Sequence, residues 1–380
     1  MKLATSLAIA SAVSATIASA APMISVGDNV DIFFKLDTAV TVDDNVTYSP
    51  TNALDDVIFT VTPGLEFDLF RGETIWDASL TVQNEFLRYT DNDQFDVDNL
   101  LVYFNANYGS PVISANFDAL FTEEQQKTQQ RAGSLIEVEN LQFGGDVTYQ
   151  VSKKVKARVN STFLAQDYVG TFGAVLADRD VFNFGVKGFY AMSPLWDLTV
   201  GANYRKADID DTPTQVGVDP EDVRLTVGVD GTILPKLKGE FDIGYTERSF
   251  DSGSRGDETL LYVAGALSWE ATPKLNVKLN ISQDFASTVA GNPIESSTAS
   301  VEGIYSINDL WTVAPFISFL SDDYISTDRE DDMVTGGVGV YYSPNGYLNF
   351  GLTAYYLEND STINLDYDNT VVELTASLRY

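Results

Sequence analysis

The 380-residue chain contains no cysteine and no histidine. The first absence excludes disulfides and thiol chemistry. The second removes the commonest general base and the commonest zinc ligand. Cations are scarce, with 23 Lys and Arg against 55 Asp and Glu and a formal net charge of −32. That balance argues against a nucleic-acid partner and against polybasic attachment to anionic lipid. Long hydrophobic runs are missing as well: past the first twenty residues, no stretch approaches the roughly 20 apolar residues of a membrane helix. A membrane barrel survives this test, because its strands are short and only alternate residues need be apolar. Serine hydrolysis through a histidine base is impossible, and neither a GxSxG elbow nor a phosphate-binding glycine loop is found. Adjacent carboxylates are so abundant that no pair signals glycoside chemistry. The sequence therefore predicts no enzyme, no cofactor and no dedicated metal site.

What is present begins with an export signal. "MKLATSLAIASAVSATIASA" carries Lys2, an apolar run of small residues, and Ala18-Ser19-Ala20 before Ala21. It reads as a secretory signal peptide over residues 1–20, leaving 21–380 as one domain. From Val30 to Tyr380 the dominant texture is alternation. "LWDLTVGANYR" sets Trp196, Leu198, Val200, Ala202 and Tyr204 against Asp197, Thr199, Gly201, Asn203 and Arg205. "KLNVKLNIS" and the terminal "VVELTASLRY" do the same, the latter placing Val372, Leu374, Ala376, Leu378 and Tyr380 on one face. A period of two over such lengths means strands with one apolar and one polar side.

Two kinds of connection take turns between these segments. The short ones include "FRGET", "YGSP", "VSKK", "LPK" and "SPNG"; the long ones are acidic, such as "KADIDDTPTQVGVDPED" and "SDDYISTDREDD". Eight short and nine long connections join eighteen strands, with both termini on the short-turn side. The predicted fold is all-β: a transmembrane antiparallel up-and-down β-barrel of about eighteen strands, with sixteen as the alternative. The weakest strand signals are at "NLLVYFNANYGSPVISANFDAL" and around Pro315. An even strand number, with short periplasmic turns and longer extracellular loops, is the organisation of a bacterial outer-membrane barrel.

The two faces carry different chemistry. Beside the short turns, in phase with the apolar face, stand Trp76, Tyr108, Tyr149, Tyr190, Trp196, Trp269, Trp311, Tyr342, Tyr347 and Tyr380. Amphipathic rings at one height form a belt where hydrocarbon meets headgroups. A soluble sandwich shows the same period but gives no reason to align rings at strand ends. The polar face then lines a lumen, with Glu66, Asp68, Glu85, Arg158, Arg205, Arg224, Lys238, Glu240, Asp242, Lys278, Glu373 and Arg379 as pore-lining candidates. Tyr103, Phe189, Tyr262, Tyr341 and Tyr355 are also inward by phase. In the loops, Asp208, Asp210, Asp211, Asp219, Glu221 and Asp222 share one segment, and Asp322, Asp323, Asp328, Glu330, Asp331 and Asp332 another. No calcium-loop spacing is present; they read as solvated negative rims, with divalent bridging to lipopolysaccharide as the alternative. Such a rim favours cations at the mouth.

The segment from Phe33 to Leu69, "FFKLDTAVTVDDNVTYSPTNALDDVIFTVTPGLEFDL", has Asp44-Asn45 after the first strand and Pro63-Gly64 inside the returning one. This hairpin resembles the β-barrel porin families of Gram-negative bacteria. The resemblance implies an outer-membrane porin, and for some relatives an association with exopolysaccharide export. Outer-membrane barrels usually end in Phe, whereas this chain ends in Tyr380, which keeps the ring for recognition by the barrel assembly machinery. The expected environment is outer-membrane lipid and lipopolysaccharide, with the protein a monomer or a trimer. The expected function is passive diffusion of small hydrophilic solutes with a mild preference for cations. A saccharide-specific or exopolysaccharide-associated channel, and a structural barrel without an open pore, remain alternatives.

Overall fold

A computed structural model describes residues 21–27, 29–70, 75–127, 133–173, 175–213, 217–251, 256–325 and 327–380; the export segment read at 1–20 lies outside them. The strands, in chain order, are β1 (Ile24–Val26), β2 (Val30–Asp43), β3 (Asp56–Leu69), β4 (Trp76–Tyr89), β5 (Val97–Gly109) and β6 (Ile113–Lys127). They continue with β7 (Leu135–Ser152), β8 (Val155–Val169), β9 (Arg179–Ala191), β10 (Trp196–Ile209), β11 (Pro220–Leu234), β12 (Leu237–Phe250) and β13 (Glu258–Thr272). The last are β14 (Leu275–Ser287), β15 (Pro293–Ser306), β16 (Trp311–Tyr324), β17 (Glu330–Tyr342), β18 (Leu348–Ser361) and β19 (Tyr367–Arg379).

Each strand from β2 onward pairs antiparallel with the next, and β19 returns to β2, so eighteen strands close into a barrel. Both segments with the weakest sequence signals are strands in the wall, and the sixteen-strand alternative falls. Closure is complete at the short-turn end, where Phe34 and Tyr380 exchange backbone hydrogen bonds of 2.6 and 2.9 Å. β2 runs four residues past that seam. The extra strand β1 turns back along this overhang, pairing Ile24 with Ile32 and Val26 with Val30. Backbone polar groups at a barrel seam in lipid would otherwise cost several kcal/mol each, by order of magnitude.

The strands outrun the bilayer. They span 13 to 18 residues from β2 onward, whereas crossing hydrocarbon takes about 9–11. The surplus lies at the loop end, where outward positions turn acidic, as in the facing pairs Asp180–Asp208 and Glu358–Asp368. Much of what reads in sequence as long acidic loop is therefore strand: Asp322 and Asp323 close β16, and Glu330, Asp331 and Asp332 open β17.

The outer face is apolar and exposed. Val200, Leu225, Val227, Ile317, Leu352 and Leu374 have 48 to 64% of their surface open. Solvated monomers rarely show contiguous apolar surface of this extent, so the outer face meets lipid. The barrel has no central apolar core. Its buried clusters gather instead at the loop end, on the inside.

Candidate functional site

The lumen is built by the second face of the alternation. Among described residues, strand cations other than Arg88 and Lys206 turn inward, and all of these but Arg179 meet carboxylates across the wall. Arg379 donates to Glu66 at 2.7 Å and Asp68 at 3.3 Å, with Lys35 lying 3.7 Å from Glu66. Lys187 reaches Asp242 at 2.6 Å and Glu240 at 3.6 Å. Lys238 meets Glu270 at 2.9 Å, Lys278 meets Glu302 at 3.3 Å, and Arg158 meets Asp146 at 3.9 Å. Glu85 accepts from Asn99, and Glu373 from Thr41. The twelve charged residues singled out in the sequence lie on the polar face of their strands, opposite the exposed apolar one. The two signs separate around the lumen: β8 to β12 carry most of the cations, whereas β2 to β4 carry Asp31, Asp37, Glu66, Asp68, Asp77 and Glu85.

Two of the five rings read as inward, Phe189 and Tyr262, are capped by cations. The Phe189 ring is buried beneath Lys156, Arg158 and Lys187, at 5.0, 5.1 and 5.8 Å from its centroid. Arg224 covers Tyr262 at 3.8 Å, and Arg379 covers Phe33 at 3.6 Å. Such contacts keep the ring faces from solutes.

On the outside, the ten rings assigned to a belt lie at the short-turn end. Trp76 packs with Tyr108 at 4.7 Å, Trp311 with Tyr342 at 4.6 Å, and Tyr347 with Tyr380 at 5.9 Å. Tyr149, Tyr190 and Trp269 are exposed, and Trp196 half-exposed.

The loop end is where the lumen narrows, and two segments do the narrowing. The first loop, residues 44–55, folds inward rather than standing in solvent. Asn45 opens it, with its side chain donating to the Ser49 and Asp368 carbonyls at 3.0 Å each. Val46, fully buried, packs on Ile58, Tyr89 and Leu135, so the loop touches β3, β4 and β7. Tyr48 stacks on Tyr367 at 4.8 Å and meets Met333 and Leu357, which reaches β17 to β19. Lys127 of β6 pairs with the buried Asp43 and lies 4.9 Å from the Tyr48 ring. Burial, reinforced by the Asp43 carboxylate, pushes the Tyr48 phenol above its usual range, so it stays protonated and neutral.

The second segment runs from Asp284 through the loop 288–292. Pairing of β13 with β14 stops at Val263–Gln283, although β15 stays paired with β14 up to Ser287. Beyond Gln283 the chain parts from β13, keeps its ladder with β15, and leans as a strap over the inner faces of β9 to β12. Four arginines hold it there. Arg205 Nη1 donates to Asp284 at 2.9 Å and Arg224 Nη2 at 2.5 Å. Arg205 Nη2 donates to the Phe285 carbonyl at 2.9 Å, Arg248 Nη1 to the Ala286 carbonyl at 3.0 Å, and Arg179 Nη1 to the Ser287 carbonyl at 3.0 Å. Asp222 ties Arg205 to Arg248, accepting at 2.6 and 2.7 Å. Phe285 is fully buried, with Arg248 4.6 Å above its ring. Farther along, Val289 packs on Ile136, Val138, Tyr168 and Leu176 of the facing side.

Arg205 and Arg224 are legible in sequence as inward. Arg179, Arg248 and Asp284 are missed because they sit beside residues that read as loop. Asp222, Asp322 and Asp331 correct the rim reading: 2, 3 and 0% exposed, they are buried in the interior rather than solvated. Asp331 there accepts from Arg329 at 2.6 Å.

A wall apolar outside and charged inside, closed on itself with its belt at the short-turn rim, is the anatomy of an outer-membrane barrel. Residues 178–380 match the family model described as "Putative beta-barrel porin 2". The chain belongs to this family. The matched region excludes the hairpin at 33–69, so the membership rests on a different part of the porin from the resemblance read there. The porin's fold is similar to a BenF-like porin from Pseudomonas fluorescens Pf-5, with TM-score 0.51 and 12% identity over 92% of this chain and 99% of that one. It is also similar to OpdO of Pseudomonas aeruginosa, with TM-score 0.50 and 12% identity over 92% and 97% of the two chains. The outer membrane protein OpdK of the same organism gives TM-score 0.50 at 10% identity, over 92% and 99%. No related sequence is found among curated proteins. The porin resides in the outer membrane of a Gram-negative bacterium, with its short turns on the periplasmic side and its loops outside.

Proposed function

We propose that this porin passes small hydrophilic solutes by passive diffusion, with cations favoured over anions. The observation that carries the reading is the inward face itself, polar and charged along its length, with acidic β2 to β4 across from cation-rich β8 to β12. Such a wall presents polar partners to a solute at every height without an enclosed binding site. The cation preference comes from the extracellular rim, where outward acids such as Asp180, Asp208, Glu358 and Asp368 focus the field. In planar bilayers under a KCl gradient, the reversal potential should show potassium as the preferred ion, more strongly at low salt. A chloride preference overturns the selectivity, and conductance at bilayer background overturns diffusion altogether.

A second reading, a barrel without a standing open pore, is favoured by the strap that crosses the lumen to Val138 and Tyr168. A dedicated saccharide conduit is disfavoured by the cations over Phe189 and Tyr262, rings that such a conduit would present bare.

A further inference from the structure

The strap poses a problem of pairing. β13 continues to Glu258 and remains paired with β12 throughout, Glu258 lying opposite Arg248. On its other side the ladder ends at Val263, so the edge from Glu258 to Tyr262 has no paired strand among the described residues. The segment that would complete it, 284–288, is the segment folded into the lumen. Continuing the observed register by one step at a time places Tyr262 opposite Asp284, Leu260 opposite Ala286 and Glu258 opposite Thr288.

The sequence of β14 fits that vacant place. Leu275, Val277, Leu279 and Ile281 face lipid, and the same phase carries Phe285 outward beside Leu261, which is itself 41% exposed on the lipid face. In the strap, Phe285 instead lies inside the lumen beneath Arg248. Its ring thus has an apolar or cation-covered home in either position. The carbonyls of Phe285 and Ser287 likewise have two sets of donors. One is the guanidiniums of Arg205 and Arg179; the other is the backbone of β13. A segment satisfied in two arrangements is a two-state element.

Resting on the porin reading, we propose that residues 284–292 are a gate. In the closed state the strap lies across the lumen, held by Arg179, Arg205, Arg224 and Arg248. In the open state, 284–288 pair with the vacant edge of β13, complete the wall and withdraw the loop 288–292 from the facing side.

The absence of cysteine makes the test clean, since an engineered pair forms the only disulfide in the chain. The double variant Leu260→Cys/Ala286→Cys joins positions that the extended register sets directly opposite each other on re-pairing. The full-length porin is reconstituted in bilayers, and cross-linking is followed by gel mobility under oxidising and reducing conditions alongside conductance. The expected result is a cross-link that forms in the folded barrel and locks a larger, steadier conductance, reversed by reductant. Failure of the pair to cross-link in folded protein overturns the gate, whatever the conductance. Equal conductance of oxidised and reduced protein, with the cross-link formed, also overturns it. Conductance at background in both forms, with the cross-link formed, overturns the porin reading and the gate with it. A second variant approaches from the closed side: Arg248→Ala removes one charged donor to the strap and should raise the ratio of open to closed dwell times about tenfold or more. An unchanged ratio counts against the gate.

Discussion

Asp43 ends β2 at the extracellular rim, and its carboxylate gathers three donors: the Asn45 amide at 2.9 Å, the Asn369 side chain at 2.6 Å, and the Lys127 ammonium. Only 3% of the residue is exposed. Removing one partner of a buried ion pair strands the other charge, at a cost of about 3–5 kcal/mol. Asp43→Ala should therefore lower the temperature at which the folded barrel loses its compact gel mobility. It should also open the first loop to protease, with new cleavage near Thr47 and Tyr48. Unchanged protection of that loop would show that Val46 and Tyr48 hold it without the carboxylate. The Pro63-Gly64 pair illustrates the same local logic. Proline has no amide hydrogen, and the β3–β4 ladder skips from Val61–Phe86 to Gly64–Gln83. Gly64 leaves room for the Gln83 side chain, whose Cγ would lie 2.4 Å from an added Cβ. From there Gln83 donates to Asp37 at 3.3 Å. The dipeptide is visible in sequence; the neighbour that needs it is not.

At the scale of the strand, the terminal segment 371–380 behaves as its alternation requires. Val372 and Leu374 face lipid, Glu373 and Arg379 face the lumen, and Tyr380 packs against Tyr347 at the periplasmic boundary. Tyr380 also makes both backbone bonds to Phe34 that finish the seam. Deleting it removes the last closure bonds and the terminal ring together. The expected outcome is a lower fraction of folded, heat-modifiable barrel in isolated outer membranes; a normal fraction would mean that the ring and its bonds are dispensable for assembly. Strand identity was legible almost everywhere, because period-two patterning states both the element and its faces. Strand ends were not. The polar code of a loop and of a strand that has left the bilayer is the same, so Asp322 and Asp331 read as loop although each sits in a ladder.

At the scale of the whole molecule, the question is how wide a path the loops leave. If solutes pass a hydrated lumen without a dedicated site, permeation should depend on size before chemistry. Liposomes carrying the porin should swell in sugars of graded mass at rates that fall smoothly with size. One sugar that outpaces smaller ones would overturn unselective diffusion. The sequence by itself determined the wall: alternation fixes which residues meet lipid, the alternating connection lengths give an even strand number of sixteen or eighteen, and the rings mark one boundary. Those are local properties, each decided within a few residues of the chain. The interior of the mouth was decided only by the tertiary structure. Asp284 meets Arg205 from four strands away, and Val289 meets Val138 of β7, seven strands from β14. Such contacts depend on where a strand parts from its neighbour, and the parting at Gln283 leaves no mark in a pattern that runs on through Phe285 as if the wall continued.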